Sequence, residues 1–145
     1  LGLPMPKACF LMAFPAPQLP EALRPWRRSA ELDDAGFREE VCGWDAEHFA
    51  GRGGIIFELG WENTWAPMLH ADFRLFDEYQ FTHADAQKFD FPIHAWHFGK
   101  DGRCTSSMVQ MWREWTTANF DHAVLEDMGH LTCFYNPDSK REYFK

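Results

Sequence analysis

A continuous apolar run, KACFLMAF (Lys7 to Phe14), places the tightest limit on the fold of this chain. It has the length of one β-strand. It lacks the alternation of apolar and polar residues that marks a strand with one solvent-exposed face, so it predicts a strand buried on both faces. The run FPIHAWHF (Phe91 to Phe98) has the same character and ends at turn residues. FDHAVLED, over residues 120–127, predicts a third short strand.

Helical patterns occupy the sequence between the first two strands. SAELDDAGFREEVCGWD predicts a short helix that Asp33 or Asp34 caps, with Phe37 and Val41 four residues apart on one face. APMLHADFRLFDEYQF predicts an amphipathic helix with proline in its first turn. Its apolar face consists of Leu69, Phe73 and Phe76.

A third helical pattern, SSMVQMWREWTT, follows the second strand, and Ser106 or Ser107 is its predicted cap. Residues 43–64 are Gly-rich and aromatic and predict no definite element, while GRGG at 51–54 suggests a flexible joint. A last polar helix is predicted over residues 137–145. Strands that alternate with helices indicate an α/β fold with a parallel sheet and right-handed crossovers. The apolar stripe of the third helix predicts core packing by Met108, Met111, Trp112 and Trp115.

Length and charge bound the class of protein. The 145 residues suffice for one domain, and a formal charge of −8 argues against a nucleic-acid partner. The one basic cluster, Arg24 to Arg28, is short and predicts a solvated loop, with contact to an acidic carrier protein as the alternative. No apolar run approaches the length of about 18 residues that a transmembrane helix needs. An aromatic content of 17% suggests large aromatic burial, an apolar ligand channel or a buried interface.

The cysteines indicate the redox compartment. Four are present and widely spaced, with no CxxC pair and no secretory signal in the sequence. They therefore predict free thiols in a reducing, intracellular location, either cytoplasm or an organelle matrix, for a soluble or peripheral protein. The four are Cys9, Cys42, Cys104 and Cys133.

Asp101 and His130 each follow a predicted strand. Active groups of parallel sheets lie just beyond the carboxyl ends of the strands, so both residues are expected on one rim. An Asp after one strand and a His after the next match the last two members of an α/β-hydrolase triad, whose chain order is Ser, Asp, His. The local alternatives are an ordinary Asp-Gly turn for Asp101 and a loop histidine at a strand end for His130.

The sequence segments around these two residues resemble those of one family. FPIHAWHFGKDGR, MWREWTTANF and MGHLTCFYN are similar to the C-terminal part of type II thioesterases, the stand-alone editing enzymes of polyketide and non-ribosomal peptide synthesis. Upstream, LPMPKACFLMAFPAPQLP, ELDDAGFREEV and MLHADFRLFDEYQF resemble the family's strand and turn after the nucleophile helix and its lid helices. The resemblance covers nearly the whole chain in order.

The resemblance implies the C-terminal part of an α/β-hydrolase, with residues 28–82 as a helical lid insertion and residues 1–20 and 89–145 as core. It implies Asp101 as the triad acid and His130 as the base, with no cofactor and an acyl carrier protein or acyl thioester as partner. By the same resemblance, the acyl or pantetheine channel is bordered by Leu69, Phe73 and Phe76. The chain departs from the family pattern at Asp101-Gly102, where Asp-Asp is usual, and at His97 and Phe98, which replace small residues.

The family's nucleophile is missing from the sequence. It is the serine of a Gly-His-Ser-Met-Gly elbow, and no Gly-x-Ser-x-Gly occurs in these 145 residues. Ser106 and Ser107 lack flanking glycines and fall between the acid and the base, the wrong place in the order. The Pro-rich opening from Leu1 reads like the middle of a domain. We expect the chain alone to be inactive, either as a truncated enzyme or as a non-catalytic, thioesterase-derived subunit of a larger assembly.

A metal site is the main rival use of these residues. His94, His97, Asp101 and Cys104 are all ligand types and fall within eleven positions. However, the two histidines are three apart on a predicted strand, so they point to opposite faces. We therefore predict no metal.

Overall fold

A computed structural model describes residues 4–135, with the exception of the Cys133 side chain. Three strands form a parallel sheet in the order β1-β2-β3: β1 (Cys9–Met12), β2 (Ile93–Phe98) and β3 (Phe120–Leu125). The predicted α/β class and parallel sheet are confirmed. The helix predicted over residues 137–145 lies outside the described part of the chain.

One face of the sheet is packed and the other is partly open. Ile93, Ala95 and Phe120 form a buried cluster with Cys104 and Val109 on the first face. The prediction that β1 is buried on both faces is wrong, because its Phe10 side chain is 64% exposed. Phe10 points to the opposite face, where it stacks on two neighbouring rings of β2, those of His94 and Trp96.

Four helices, which we call the helical segment, lie between β1 and β2. They are α1 (Asp34–Trp44), α2 (Ala46–Ala50), α3 (Ile55–Glu58) and α4 (Ala66–Glu78). Asp33 caps α1 by accepting from the Gly36 amide at 2.8 Å, as one of the two predicted caps. The unassigned residues 43–64 hold α2, α3, a 3-10 turn (Arg52–Gly54) and a π-helical turn (Trp61–Trp65).

The helical segment has its own core. Phe37 and Val41 of α1 are buried, as the spacing predicted, and they pack with Trp61 and Ala66. Phe37 also stacks on His70 of α4 at a centroid distance of 3.6 Å. Aromatic packing of this kind is favourable beyond simple area burial. Much of the unusual aromatic content is thus used inside the protein.

The chain from β2 to β3 forms helix α5 (Ser106–Gln110) and a 3-10 continuation (Met111–Trp115). Thr105 occupies the cap position in extended backbone, so Ser106 and Ser107 are inside the helix and the predicted cap is wrong. Met108 is buried, and Trp112 and Trp115 pack against the sheet cluster. A short helix, α6 (Thr132–Tyr135), ends the described chain. None of the helices within residues 4–135 has both the length and the apolar character needed to cross a bilayer.

Candidate active site

The turn after β2 buries the carboxylate of Asp101 completely. Its Oδ1 accepts hydrogen bonds from the backbone amides of Arg103 at 2.8 Å and Cys104 at 2.9 Å. A buried carboxylate is stable only when its oxygens are paired in this way. The Asp-Gly turn therefore holds one oxygen on the backbone and leaves the other, Oδ2, to bind a side chain.

His130 supplies that side chain. Its Nδ1 lies 2.7 Å from Oδ2 of Asp101, and its imidazole is 24% exposed. Nδ1–H donates to the carboxylate in this arrangement, so in the neutral ring the lone pair is carried by Nε2. The structure thus brings the two predicted site residues together in the geometry of a general base with its orienting acid.

The two loops that carry this pair are joined at the carboxyl end of the sheet. The Gly99 amide donates to the Leu125 carbonyl at 3.0 Å, and the Lys100 amide donates to the Met128 carbonyl at 2.9 Å. A Cβ on Gly99 would lie 2.6 Å from the Glu126 carbonyl oxygen. Glycine is required there because the backbones approach so closely.

Helix α1 anchors the acid turn through an ionic cluster. Glu40 is fully buried, and its two oxygens lie 3.1 Å from Nε of Arg27 and 3.0 Å from Nε of Arg103. The Arg27 contact is a hydrogen bond, whereas the Arg103 contact is an ion pair without hydrogen-bond alignment. The predicted solvated loop at Arg24–Arg28 therefore also connects elements, because Arg24 donates to the carbonyl of Phe76 in α4 and to that of Tyr79, which directly follows α4.

Asp45, between α1 and α2, anchors the histidine loop. It is 3% exposed, and its Oδ2 accepts from the Leu131 amide at 2.7 Å and from the amide and hydroxyl of Thr132, both at 2.9 Å. Its Oδ1 caps α2 through the His48 amide at 3.0 Å. The sequence analysis missed Asp45. Its place before AEHF signals a helix cap, but no local pattern signals a partner 86 residues away.

A cavity of about 400 Å³ lies between the chain that leaves β1 and the end of α4. Ala13 directly follows β1 and lies in the left-handed region, with φ of 42°, and the next residue, Phe14, is part of the cavity wall. That backbone conformation is unusual for a residue with a Cβ and turns the chain off the sheet. The wall is almost entirely apolar, with Phe14, Trp26, Leu75, Phe76, Tyr79 and Trp112 as its large members.

Trp44 links this cavity to the histidine. The centroid of its ring lies 5.5 Å from that of Trp26 and 6.2 Å from that of Phe76, both in the cavity wall, and 5.1 Å from that of His130. Of the three predicted channel residues, only Phe76 lies in the cavity wall. Leu69 and Phe73 pack against the core of the helical segment and do not line the cavity.

His94 and Ser106 each have a partner other than His130. Nδ1 of His94 lies 3.0 Å from Asp121, and Ser106 lies 3.5 Å from Nε2 of His122 instead of near His130. Burial, and secondly the charge of His97, lowers the pKa of His122. Within the described part of the chain, no three His, Cys, Asp or Glu side chains converge as metal ligands would. Burial, and secondly the charge of Asp101, raises the pKa of the Cys104 thiol to about 12.

No protein-family model and no curated protein matches this chain. Solved structures do match. RedJ, a thioesterase of the prodiginine pathway of Streptomyces coelicolor, is 24% identical with a TM-score of 0.69, over 96% of this chain and 49% of its own. ClbQ of the colibactin pathway is 20% identical with a TM-score of 0.72, and the match covers 99% of this chain and 56% of ClbQ. YbtT, a type II thioesterase of the yersiniabactin pathway, is 20% identical with a TM-score of 0.60, and the match covers 96% of this chain and 51% of YbtT.

These matches confirm the predicted resemblance to type II thioesterases at the level of fold. The described strands and helices are part of an α/β-hydrolase fold. The chain spans about half the length of each of these structures.

Proposed function

We propose that this chain carries the acid and the base of an acyl thioester hydrolase that acts on an acyl carrier protein. The observation that supports this most is the 2.7 Å contact between His130 Nδ1 and Asp101 Oδ2. It lies at the carboxyl end of a parallel sheet, in a chain whose fold is that of type II thioesterases. Such ends are where α/β folds place their reacting groups.

In the proposed reaction, a serine outside these 145 residues attacks the thioester carbonyl, and Nε2 of His130 accepts its proton. The buried carboxylate of Asp101 stabilises the imidazolium that forms. When the tetrahedral intermediate collapses, the C–S bond breaks and the carrier leaves as a thiolate, which takes the proton from His130 and becomes the free thiol. An acyl-serine ester remains. His130 then removes a proton from water, which attacks that ester, and returns the proton to serine as the fatty acid leaves.

The cavity is the proposed place for the acyl chain, beneath the helical segment acting as a lid. Its wall is apolar, and Phe76 and Trp44 connect it to His130 through ring contacts. An apolar chain gains free energy from leaving water for such a wall, at about 25 cal/mol per Å². Trp44 would then stand beside the thioester end, where the chemistry occurs.

The test is hydrolysis of acyl-pantetheine and acyl-carrier thioesters by the full protein that contains these residues. Asp101→Asn and His130→Ala are expected to lower kcat by about 10³-fold or more. His94 and Asp121 form a matched control, because they are another His–Asp pair of the same sheet at 3.0 Å. Asp121→Asn should leave kcat unchanged. Full activity of His130→Ala would refute the proposal.

A second candidate is a non-catalytic subunit of a larger assembly. It is favoured by the exposed Phe10 on the open sheet face, since an aromatic side chain there gains by being covered by a partner. In this case the full protein would show no thioester hydrolysis and would elute in a complex. Phe10→Ser would release it from that complex, whereas His130→Ala would not.

A further inference from the structure

We propose that Asp45, in addition to capping helix α2, is a positioning residue that holds His130 against Asp101. The consequence for rate rests on the proposed function, but the effect on the histidine itself does not.

The number of donors on the Asp45 carboxylate exceeds what a cap requires. Capping α2 uses one hydrogen bond, from the His48 amide to Oδ1. The other oxygen accepts three, and all come from Leu131 and Thr132, the two residues that follow His130. A carboxylate is the only side-chain group of this size that accepts four hydrogen bonds without donating any.

The residue before His130 passes close to the same carboxylate. A Cβ on Gly129 would lie 2.7 Å from Oδ2 of Asp45, so there is no room for a side chain between them. Asp45 is therefore hydrogen-bonded to the chain after His130 and adjoins the chain before it. This limits how far the backbone of His130 can move, and with it how far the imidazole can leave the Asp101 carboxylate.

The surroundings keep Asp45 ionised in this role. Burial acts to raise its pKa, but the hydrogen bonds from His48, Leu131 and Thr132 together hold the pKa of Asp45 below its usual value. An asparagine in its place is neutral and keeps a single acceptor oxygen. If that oxygen faces Leu131 and Thr132, the His48 amide meets the N–H₂ group and the bonds to the loop lose the charge that strengthens them. If the group is turned the other way, the loop donors meet the N–H₂ group and the loop has to move.

The test is the NMR signal of the His130 Nδ1 proton, recorded on the full protein labelled with ¹⁵N-histidine. A proton shared with a carboxylate at this short distance resonates far downfield, and Asp101→Asn identifies it by abolishing it. Asp45→Asn is expected to shift the signal upfield or broaden it away. Asp33→Asn is the matched control, because Asp33 caps α1 and makes no contact with the histidine loop that the structure records. An unchanged His130 signal in folded Asp45→Asn would overturn the proposal.

Thr132→Val is the milder variant, should Asp45→Asn fail to fold. It removes one hydroxyl donor to Asp45 and leaves the backbone bonds in place. We expect a smaller shift in the same direction, and no shift would overturn the proposal. Activity of the full protein separates the two proposals. If the signal moves and kcat falls ten- to hundredfold with KM unchanged, both the positioning role and the hydrolase function are supported. If the signal moves but even the wild-type protein shows no activity, the positioning role is supported and the hydrolase function is refuted.

Discussion

The indole of Trp44 meets the imidazole of His130 edge to face, with ring centroids 5.1 Å apart and planes at 69°. Trp44 is the last residue of α1, and its ring also contacts Trp26 and Phe76, which line the cavity, and Phe73, which packs in the core of the helical segment. It therefore covers one side of the histidine with apolar surface, while Asp101 holds the ring by its Nδ1 atom.

Trp44→Ala should expose His130. The imidazole is 24% exposed in the structure, and loss of the indole removes its neighbour on one side. We expect His130 to react several-fold faster with diethyl pyrocarbonate, followed by mass spectrometry of the peptides. Stability should also fall, but by less than the about 3–5 kcal/mol of a fully buried aromatic truncation, because Trp44 is only partly buried. Trp44→Phe keeps a ring and is the control, and equal reaction rates in all three proteins would contradict the packing role.

Gly129→Ala should destabilise the protein, because its Cβ would lie within 3 Å of all three atoms of the Asp45 carboxyl group. Overpacking of this kind typically costs about 1–3 kcal/mol. Gly36→Ala is the comparison. It lies in helix α1, its Cβ would meet only side-chain atoms at 3.1 Å or more, and alanine is the better helix former. Urea unfolding should show a lower free energy of unfolding for Gly129→Ala and no decrease for Gly36→Ala. A decrease for Gly36→Ala alone would refute the close approach of Gly129 to Asp45.

The fold was predictable from the sequence because its signals are local. Apolar runs and turn residues located β1 and β2, and helical spacing located Phe37 and Val41 on one face. The chain order of strands and helices then placed Asp101 and His130 on one rim, where the structure brings them to hydrogen-bond distance. Each of these inferences needs only periodicity and topology.

The missed parts depend on contacts that are distant in sequence. Asp45 looks like a plain helix cap, and its second function appears only when a loop 86 residues later folds over it. Leu69, Phe73 and Phe76 share one helical face, yet only Phe76 reaches the cavity, because the other two are used by the core of the helical segment. Periodicity identifies the apolar face of a helix but does not say what covers each turn of it.

Asp45 should give stability that depends on pH in a defined window. Because its hydrogen bonds hold its pKa below the usual value despite burial, the unfolded chain binds a proton at a higher pH than the folded one. Its contribution is therefore complete above about pH 5, past the unfolded value of about 4, and is lost as pH falls through the lower folded pKa. The free energies of unfolding of wild type and Asp45→Asn, measured with urea, should differ by a constant amount near neutral pH. That difference should become smaller below about pH 4, and a difference that grows on acidification would contradict the lowered pKa of Asp45.

Cys104 should resist alkylation in the folded protein at pH 8. Burial is the larger reason that the pKa of its thiol is about 12, and the nearby charge of Asp101 is the smaller one. Only the thiolate reacts with iodoacetamide, so almost none is present at pH 8, and the side chain is fully buried besides. Mass spectrometry should find Cys104 unmodified until urea unfolds the chain, while the partly exposed Cys9 and Cys42 react slowly beforehand. Asp101→Asn removes only the smaller cause, so Cys104 should stay protected in that variant as long as it is folded. Rapid labelling there would mean that the turn opens when the Asp101–His130 pair is lost, and that the pair holds the turn closed.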